Sequence, residues 1–373
     1  MIRSQLCHER DFQQPWYRGW VEAMRQQVRL HRKQWEHVVI AQALSERGML
    51  APMMRGLGFG VGLEPLPALF ASKGCTIVAT DQSSERAQAG SWASTDEHCS
   101  SSARLNTAGI CPDDLFSSRV SFRAEDMNAI SDDLTDFDFT WSSCAFEHLG
   151  SLEAGLRFLL RQSECLKPGG WAVHTTEFNV FSDAKTWTSG STVLYRRRDL
   201  DALRRAVGSS GLEIEAFDFS LGDLPNDWFI DHWPYHDEPH LKLLVADELV
   251  TTSIVLVLRK VGGTSAPREP ILDVRDGITA PVVDGIPTKA TPSDETAVST
   301  ERLIADRDAW RRRYEQIFGT DDAQRSLEIL RLEQTCRHWR NQYERIARVF
   351  PIKQALWLRR RILGLPDPST TSE

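Results

Sequence analysis

Gly56-Leu57-Gly58-Phe59-Gly60-Val61-Gly62 is the stretch that decides how this chain folds. It follows an apolar run, Met49–Leu57, that reads as a strand. Glycines directly after a strand let a ligand approach the main chain, and the next helix aims its N-terminus at the same place. Two phosphate fingerprints can be tested against it. A P-loop needs Gly-Lys-Ser/Thr, which is absent. A dinucleotide GxGxxG motif started at Gly56 would need glycine where Val61 stands, and started at Gly58 where Leu63 stands. What remains is an alternating GxGxG turn.

Outward from this turn, short apolar runs alternate with helical patterns. The expected strands are Met49–Leu57, Thr76–Asp81, Val120–Ala124, Phe137–Ser142, Trp171–Thr176, Glu213–Phe219 and Thr252–Arg259. Helices are expected between most of them, notably Ser151–Cys165 and Asp199–Val207. Such alternation predicts a mostly parallel sheet covered on both faces. No helix is evident before the last strand, which is therefore expected to run antiparallel. Upstream, residues 15–47 read as one long amphipathic helix opened by Pro15 and closed by Gly48. Val21, Met24, Val28, Trp35, Val38, Val39 and Leu44 form its apolar stripe.

The chain has 373 residues, 41% hydrophobic and 26% charged, with a net charge of −8. This balance excludes disorder of the whole chain and argues against whole-protein nucleic-acid binding. The seven cysteines form no CxxC pair, so neither a disulfide scaffold nor a structural zinc site is expected, and a reducing cytoplasm fits. The first residues, MIRSQLCHERDF, lack a signal-peptide core, and no apolar run reaches the ~20 residues of a membrane span.

Beyond the sheet-forming region, 49–261, residues 262–298 read as a Pro/Gly/Ser/Thr-rich flexible linker. Residues 299–363 read as a helical, coiled-coil-like association module, and 364–373 as a disordered tail. Inside the module Trp310, Tyr314 and Ile317 recur as Trp339, Tyr343 and Ile346, with heptad-type spacing that favours self-association. Lys353, Trp357 and Arg359–Arg361 give the end of the module a basic, apolar character suited to an anionic membrane face. Four basic side chains there supply about 4 kcal/mol of attachment, which is weak and reversible. The charge is divided accordingly: residues 1–298 carry 29 basic and 41 acidic side chains, residues 299–363 carry 15 and 9.

With its downstream motifs, the GxGxG turn resembles the first motif of class I S-adenosylmethionine-dependent methyltransferases. Asp81 ends the second strand, Ala124-Glu125-Asp126-Met127 follows the third, and Phe137–Ser143 forms the fourth. Leu166-Lys167-Pro168-Gly169-Gly170 is similar to the family's turn before the fifth strand. The resemblance covers 49–260 and implies a Rossmann-like, seven-stranded sheet with an antiparallel last strand. It further implies S-adenosyl-L-methionine as cofactor, held by Gly58, Gly60, Gly62, Asp81, Asp126, Met127 and Ser142. Asp81 would take the ribose hydroxyls and Asp126–Met127 the adenine. One departure stands out: the acidic residue usually found two positions before the first motif glycine is Gly56 here, and Glu64 is the carboxylate available to replace it.

Ligands in open α/β sheets sit beyond the carboxyl ends of the strands. Three segments carry chemistry there: Glu147-His148, His174–Asn179, and Asp231–His236. Methyl transfer to a hydroxyl needs a base, and histidine titrates near neutrality. The expectation is that His148, His174 or His232 is that base, with Glu177 placed to orient His174 and Asp231 to orient His232. The residues alone leave the choice among the three open. His232 and His236 are four apart, but Pro234 between them breaks a shared helix face, so no metal site is expected. Trp187, Trp228 and Trp233 are placed to stack on a sugar ring, and Arg196–Arg198 to meet an anionic acceptor, whereas Trp35, Trp141 and Trp171 read as core filling.

The VHTTEFN segment, the Tyr195-Arg-Arg run and the later Pro-Tyr…HLKL pattern resemble methyltransferases associated with bacterial cell-surface polysaccharide biosynthesis. That implies O-methylation of a sugar or glycan intermediate at the inner face of the cytoplasmic membrane. The partners implied are a glycan acceptor, a second copy or assembly protein at 299–350, an anionic membrane at 351–363, and no nucleic acid. Two other readings remain: methylation of a small hydroxylated or carboxylated metabolite, and a non-catalytic scaffold.

Overall fold

Each apolar run expected as a strand contributes to one sheet of the computed structural model, the first only from Arg55, since 49–54 form turns; the structure describes residues 1–83, 98–208, 211–232, 235–246, 249–262, 272 and 277–279. The repeat at Trp310 and Trp339, the association module, the basic tail, most of the linker and Trp233 lie outside the described residues.

The strands are β1 (Ser4–Leu6), β2 (Arg55–Gly58), β3 (Thr76–Asp81), β4 (Val120–Ala124), β5 (Phe137–Ser143), β6 (Leu166–Asn179), β7 (Thr186–Ser189), β8 (Leu212–Ile214), β9 (Phe217–Asp218), β10 (Ile230–Asp231), β11 (Lys242–Val245), β12 (Leu249–Lys260) and β13 (Gly277–Thr279). The helices are α1 (Glu9–Phe12), α2 (Pro15–Ala23), α3 (Arg32–Glu46), α4 (Leu66–Ser72), α5 (Asp113–Arg119), α6 (Leu152–Arg161) and α7 (Arg197–Val207). The main sheet runs β10-β11-β12-β6-β5-β2-β3-β4. From β6 to β4 it is parallel, and β12 pairs antiparallel with β6, with Ser253 opposite Glu177. This is the expected mixed sheet with an antiparallel strand, although among the described residues it has eleven strands rather than the expected seven, because β1, β8, β9, β10 and β11 add to the side of β12; its strand order reverses between β2 and β5. The crevice beyond those two strand ends is where such sheets bind ligands.

Alternation along each strand sorts the side chains into two layers. On one face Ile77, Phe139, Trp141, Val173, Val255 and Val257 pack beneath α3 and α4. On the other, Phe137, Ala172, Phe178, Leu256 and Leu258 pack beneath α6 and α7.

Three expectations need correction. The helix predicted over 15–47 is two helices. Arg25 turns left-handed at φ 57°, and the Gln34 side chain then ties down the break, accepting from Arg29 N at 2.8 Å and donating to Gln27 O at 2.8 Å. Val28, assigned to the apolar stripe, lies in this break and is exposed. The strand predicted over Glu213–Phe219 is also two. Ile214 pairs with Leu258, whereas Phe217 pairs with Ser4, because β1 takes the place beside β12 just beyond β8. Finally, Leu166–Gly170 is not a turn ahead of the fifth strand. β6 begins at Leu166 opposite Phe137, and the irregularity is absorbed as a register shift between Phe137 and Phe139.

Candidate functional site

The glycine turn leaves β2 with Gly60 at φ 58° and Gly62 at φ 49°, a backbone region that side chains other than glycine rarely adopt. The two glycines before it are small for another reason. A Cβ on Gly58 would lie 2.4 Å from the Trp141 ring, and one on Gly56 2.3 Å from the Phe139 ring. At those positions neighbouring aromatic rings, rather than a ligand, come close to the strand. Gly60 faces Ala145 and Met127, whose Sδ would be 3.3 Å from an added Cβ. The turn, the end of β4 and the segment after β5 thus converge around Gly60.

Asp81 stands at the end of β3, buried, with Oδ1 accepting from Gln82 N at 2.8 Å and Oδ2 from Cys99 N at 3.0 Å. Burial raises its pKa, against these amide bonds. Asp126 caps the turn after β4, accepting from Asn128 N at 2.9 Å. Ser142 does not face this group. It shares a face with His174, its neighbour in register, and their side chains meet at 2.8 Å.

Glu64 closes the turn. Its Oε1 accepts from Trp141 Nε1 at 2.6 Å, and His37 Nε2 stands 4.0 Å from Oε2. Burial, with Asp81 and Glu36 close by, pushes the Glu64 carboxyl up to about 8 despite the Trp141 bond. His37 is pushed down to about 4 by its own burial and stays neutral beside it. Two buried carboxylates beside the glycine turn, Asp81 at the end of β3 and Glu64 just after the turn, fit a ligand that carries both a hydroxylated sugar and an ammonium.

Next to this lies a buried charge cluster formed by the start of α3 and the ends of β5, β6 and β12. The Arg32 guanidinium binds Glu177, lies 3.6 Å from Glu36 and donates to Ser253 Oγ at 3.4 Å. Lys33 Nζ is 3.4 Å from the other oxygen of Glu36, which also accepts from Ser143 at 3.3 Å. Burial opposes ionisation of Glu36, but Lys33 and Arg32 outweigh it and hold the group down at about 2. Glu177 also accepts from Thr251 at 2.6 Å.

Glu147, in the turn after β5, is fully buried. Thr176 donates to its Oε2 at 3.0 Å, and Oε1 has no hydrogen-bond partner among the described residues. Burial pushes this carboxyl up to about 7. Beside it, His148 Nδ1 is 2.8 Å from Ser191 O. A carbonyl only accepts, so Nδ1 carries the proton and the ring lone pair belongs to Nε2. Burial holds His148 down at about 4, neutral near pH 7.

The other two expected bases sit elsewhere. His174 is fully buried against Phe146 and Phe158 and is pushed down to about 3 by burial. Glu177 does not orient it: three residues apart on one strand, the two point to opposite faces. His232 is exposed just past the edge strand β10. Asp231 serves His236 and His240 instead, each through Nδ1 at 2.7 Å, and His240 stacks on His31 just before α3. The basic run is not a free anion site either. Arg196 is fully buried and held by Asp199 at 2.9 Å, and Arg197 lies over Phe219. Trp187 is buried and Trp228 half-buried. The expected cysteine state matches what is described: Cys7, Cys75, Cys99, Cys111, Cys144 and Cys165 are all free and buried.

Cys144, Glu147 and Glu177 each present a ligand-type atom within 4.8 Å of the others. Arg32 and Thr251 already engage Glu177, and burial pushes the Cys144 thiol well up, away from the thiolate that binds metals. The cations Arg32 and Lys33 occupy the electrostatic place a metal ion would take. Sequence reasoning placed Glu147 and His148 here but missed Arg32, Lys33 and Glu36. Their signal was three charges at i, i+1 and i+4 in the first turns of a helix whose middle, residues 38–41, is apolar.

Among the described residues, no helix is long and apolar enough to cross a membrane. No protein-family model and no curated protein matches the chain. Solved structures do. A protein from Galdieria sulphuraria, provisionally assigned as a sarcosine dimethylglycine methyltransferase, is 13% identical, with 66% of this chain and 98% of that one covered at a TM-score of 0.40. An S-adenosylmethionine-dependent methyltransferase from Mesorhizobium loti is 16% identical over 58% of this chain and 96% of that one, with a TM-score of 0.35. Magnesium protoporphyrin IX methyltransferase from Synechocystis PCC 6803, solved with bound S-adenosylmethionine, is 10% identical over 61% and 79%, again at 0.35. At these identities and TM-scores the reading of the site rests on this chain's own residues.

Proposed function

We propose that this chain is an S-adenosylmethionine-dependent O-methyltransferase whose acceptor is a sugar or glycan intermediate of cell-surface polysaccharide assembly. The observation that carries the reading is the juxtaposition of the glycine turn, and of Asp81 and Glu64 beside it, with His148 and the polar cluster under α3. Asp81 takes the ribose hydroxyls, and Asp126 and Met127 border the adenine. When bound, the cofactor supplies an electrophilic methyl group on a sulfonium.

The chain's own residues do the rest. Ser191 and Thr192, at 2.8 and 3.2 Å from Nδ1, fix the His148 tautomer. His148 Nε2 would accept the proton that the acceptor hydroxyl gives up; the bound cofactor would supply the methyl group and leave as the neutral thioether. The bond to Ser191 O and the charge of Glu177 favour the imidazolium so formed, against burial and the charges of Lys33 and Arg32. Lys33, whose side chain is 43% exposed, and the half-buried Ser143 offer polar groups suited to a hydroxylated ring. The test is transfer of labelled methyl to free sugars and lipid-extracted glycans. His148→Asn is expected to retain cofactor affinity while kcat falls ~10²–10⁴-fold. Equal turnover by the two proteins, or label on nitrogen or carboxylate only, would contradict the reading.

A further inference from the structure

We propose that Glu64 is the anchor for the primary ammonium at the amino-acid end of the cofactor, a role moved from the position that Gly56 occupies to the far end of the glycine turn. This deepens the methyltransferase reading and rests on it. Gly56 cannot carry an acid, because an added Cβ would lie 2.3 Å from Phe139 and 2.9 Å from Ile77, so a longer side chain has no room. A carboxylate that meets an ammonium at this turn therefore has to stand at another position.

Glu64 is in the right chemical state for it. Only 7% of its surface is exposed, and its one hydrogen-bond donor among the described residues is the neutral indole of Trp141. Its charged surroundings are acidic on two sides, Asp81 and Glu36, and Lys33, which acts on it weakly, is seated 3.4 Å from Glu36. Burial of a carboxyl without a cation is unfavourable unless the group stays protonated or a cation arrives. An ammonium offers up to three N–H donors and one positive charge, which completes Oε2 and relieves the repulsion from Asp81. Asp81 keeps its amide bonds to Gln82 and Cys99 and remains the carboxylate for the ribose.

The test compares two ligands on two proteins by calorimetry at pH 7.5. S-adenosylhomocysteine carries the amino-acid end, and 5′-methylthioadenosine lacks it. Glu64→Gln keeps an acceptor for Trp141, so the turn stays folded, and an unchanged circular-dichroism spectrum verifies this. The variant is expected to bind S-adenosylhomocysteine at least tenfold more weakly and methylthioadenosine within twofold of the parent. Unchanged affinity for S-adenosylhomocysteine overturns the inference. So does an equal loss for both ligands, which would make Glu64 a structural support of the turn. If the parent protein binds neither ligand, the methyltransferase reading itself fails, and the anchor with it.

Discussion

The start of α3 and the glycine turn each bury a glutamate under the same helix, yet the two groups are driven in opposite directions. Glu36 meets Arg32 and Lys33 and is held at about 2, while Glu64 meets an indole N–H and two acids and rises to about 8. Burial is nearly the same for both, at 0% and 7% exposure. The main difference is that cations are built in beside Glu36, with hydrogen bonds from Ser253 and Ser143 adding to them. The first region is electrostatically complete and acts as a frame. The second is incomplete and suits a charged ligand.

The sharpest way to break this comparison is to make the first region incomplete. Arg32→Met leaves Glu177 and Glu36 short of a buried partner, and urea unfolding is expected to show a loss of about 3–5 kcal/mol. A loss below about 1 kcal/mol would mean the cluster is solvated rather than buried. Gly58→Ala comes next, since its methyl group meets the Trp141 ring that also holds Glu64. It should cost roughly 1–3 kcal/mol by the same measurement and disturb Trp141 fluorescence.

The third prediction turns on pH. Glu64 has a folded pKa raised from 4.5 to about 8, so the folded state holds a proton that the unfolded state releases. Its contribution to stability is full below about 4.5 and is lost as pH rises towards 8. Glu64→Gln should therefore melt higher than the parent at pH 8.5, with the gap closing near pH 5. A pH-independent gap would show that Glu64 is not buried uncompensated. Glu36 has the opposite sign: its stabilisation is present above 4.5 and is lost as pH falls towards 2. Lys33→Met is the smallest effect. Its side chain is 43% exposed, so water already screens the pair with Glu36, and about 1 kcal/mol or less is expected.

The sheet was legible in the sequence because its signals are local. Thr76–Asp81 and Val120–Ala124 are strands over the expected residues, each an apolar run bounded by turn residues. The glycine turn was legible for the same reason. What depended on distant partners was not. Gln34 breaks the long helix by reaching back to Gln27 and Arg29, and β1 splits the strand at 213–219 from more than two hundred residues away. The histidines show the limit most clearly. His148, His174 and His232 are equivalent as residue types, but one borders the crevice, one lies within an aromatic core, and one sits just past an edge strand. Strand parity alone separates His174 from Glu177, and it becomes usable only once the register is known. The role of Arg32 was not legible because Glu177 and Ser253, its partners, lie on strands 145 and 221 residues away.

Calorimetric titration of the full chain with S-adenosylmethionine and S-adenosylhomocysteine tests the central claim most directly. Saturable binding of both at one site per chain, weakened by Asp81→Asn, is the predicted result. Absence of heat with either ligand at millimolar concentration would contradict it.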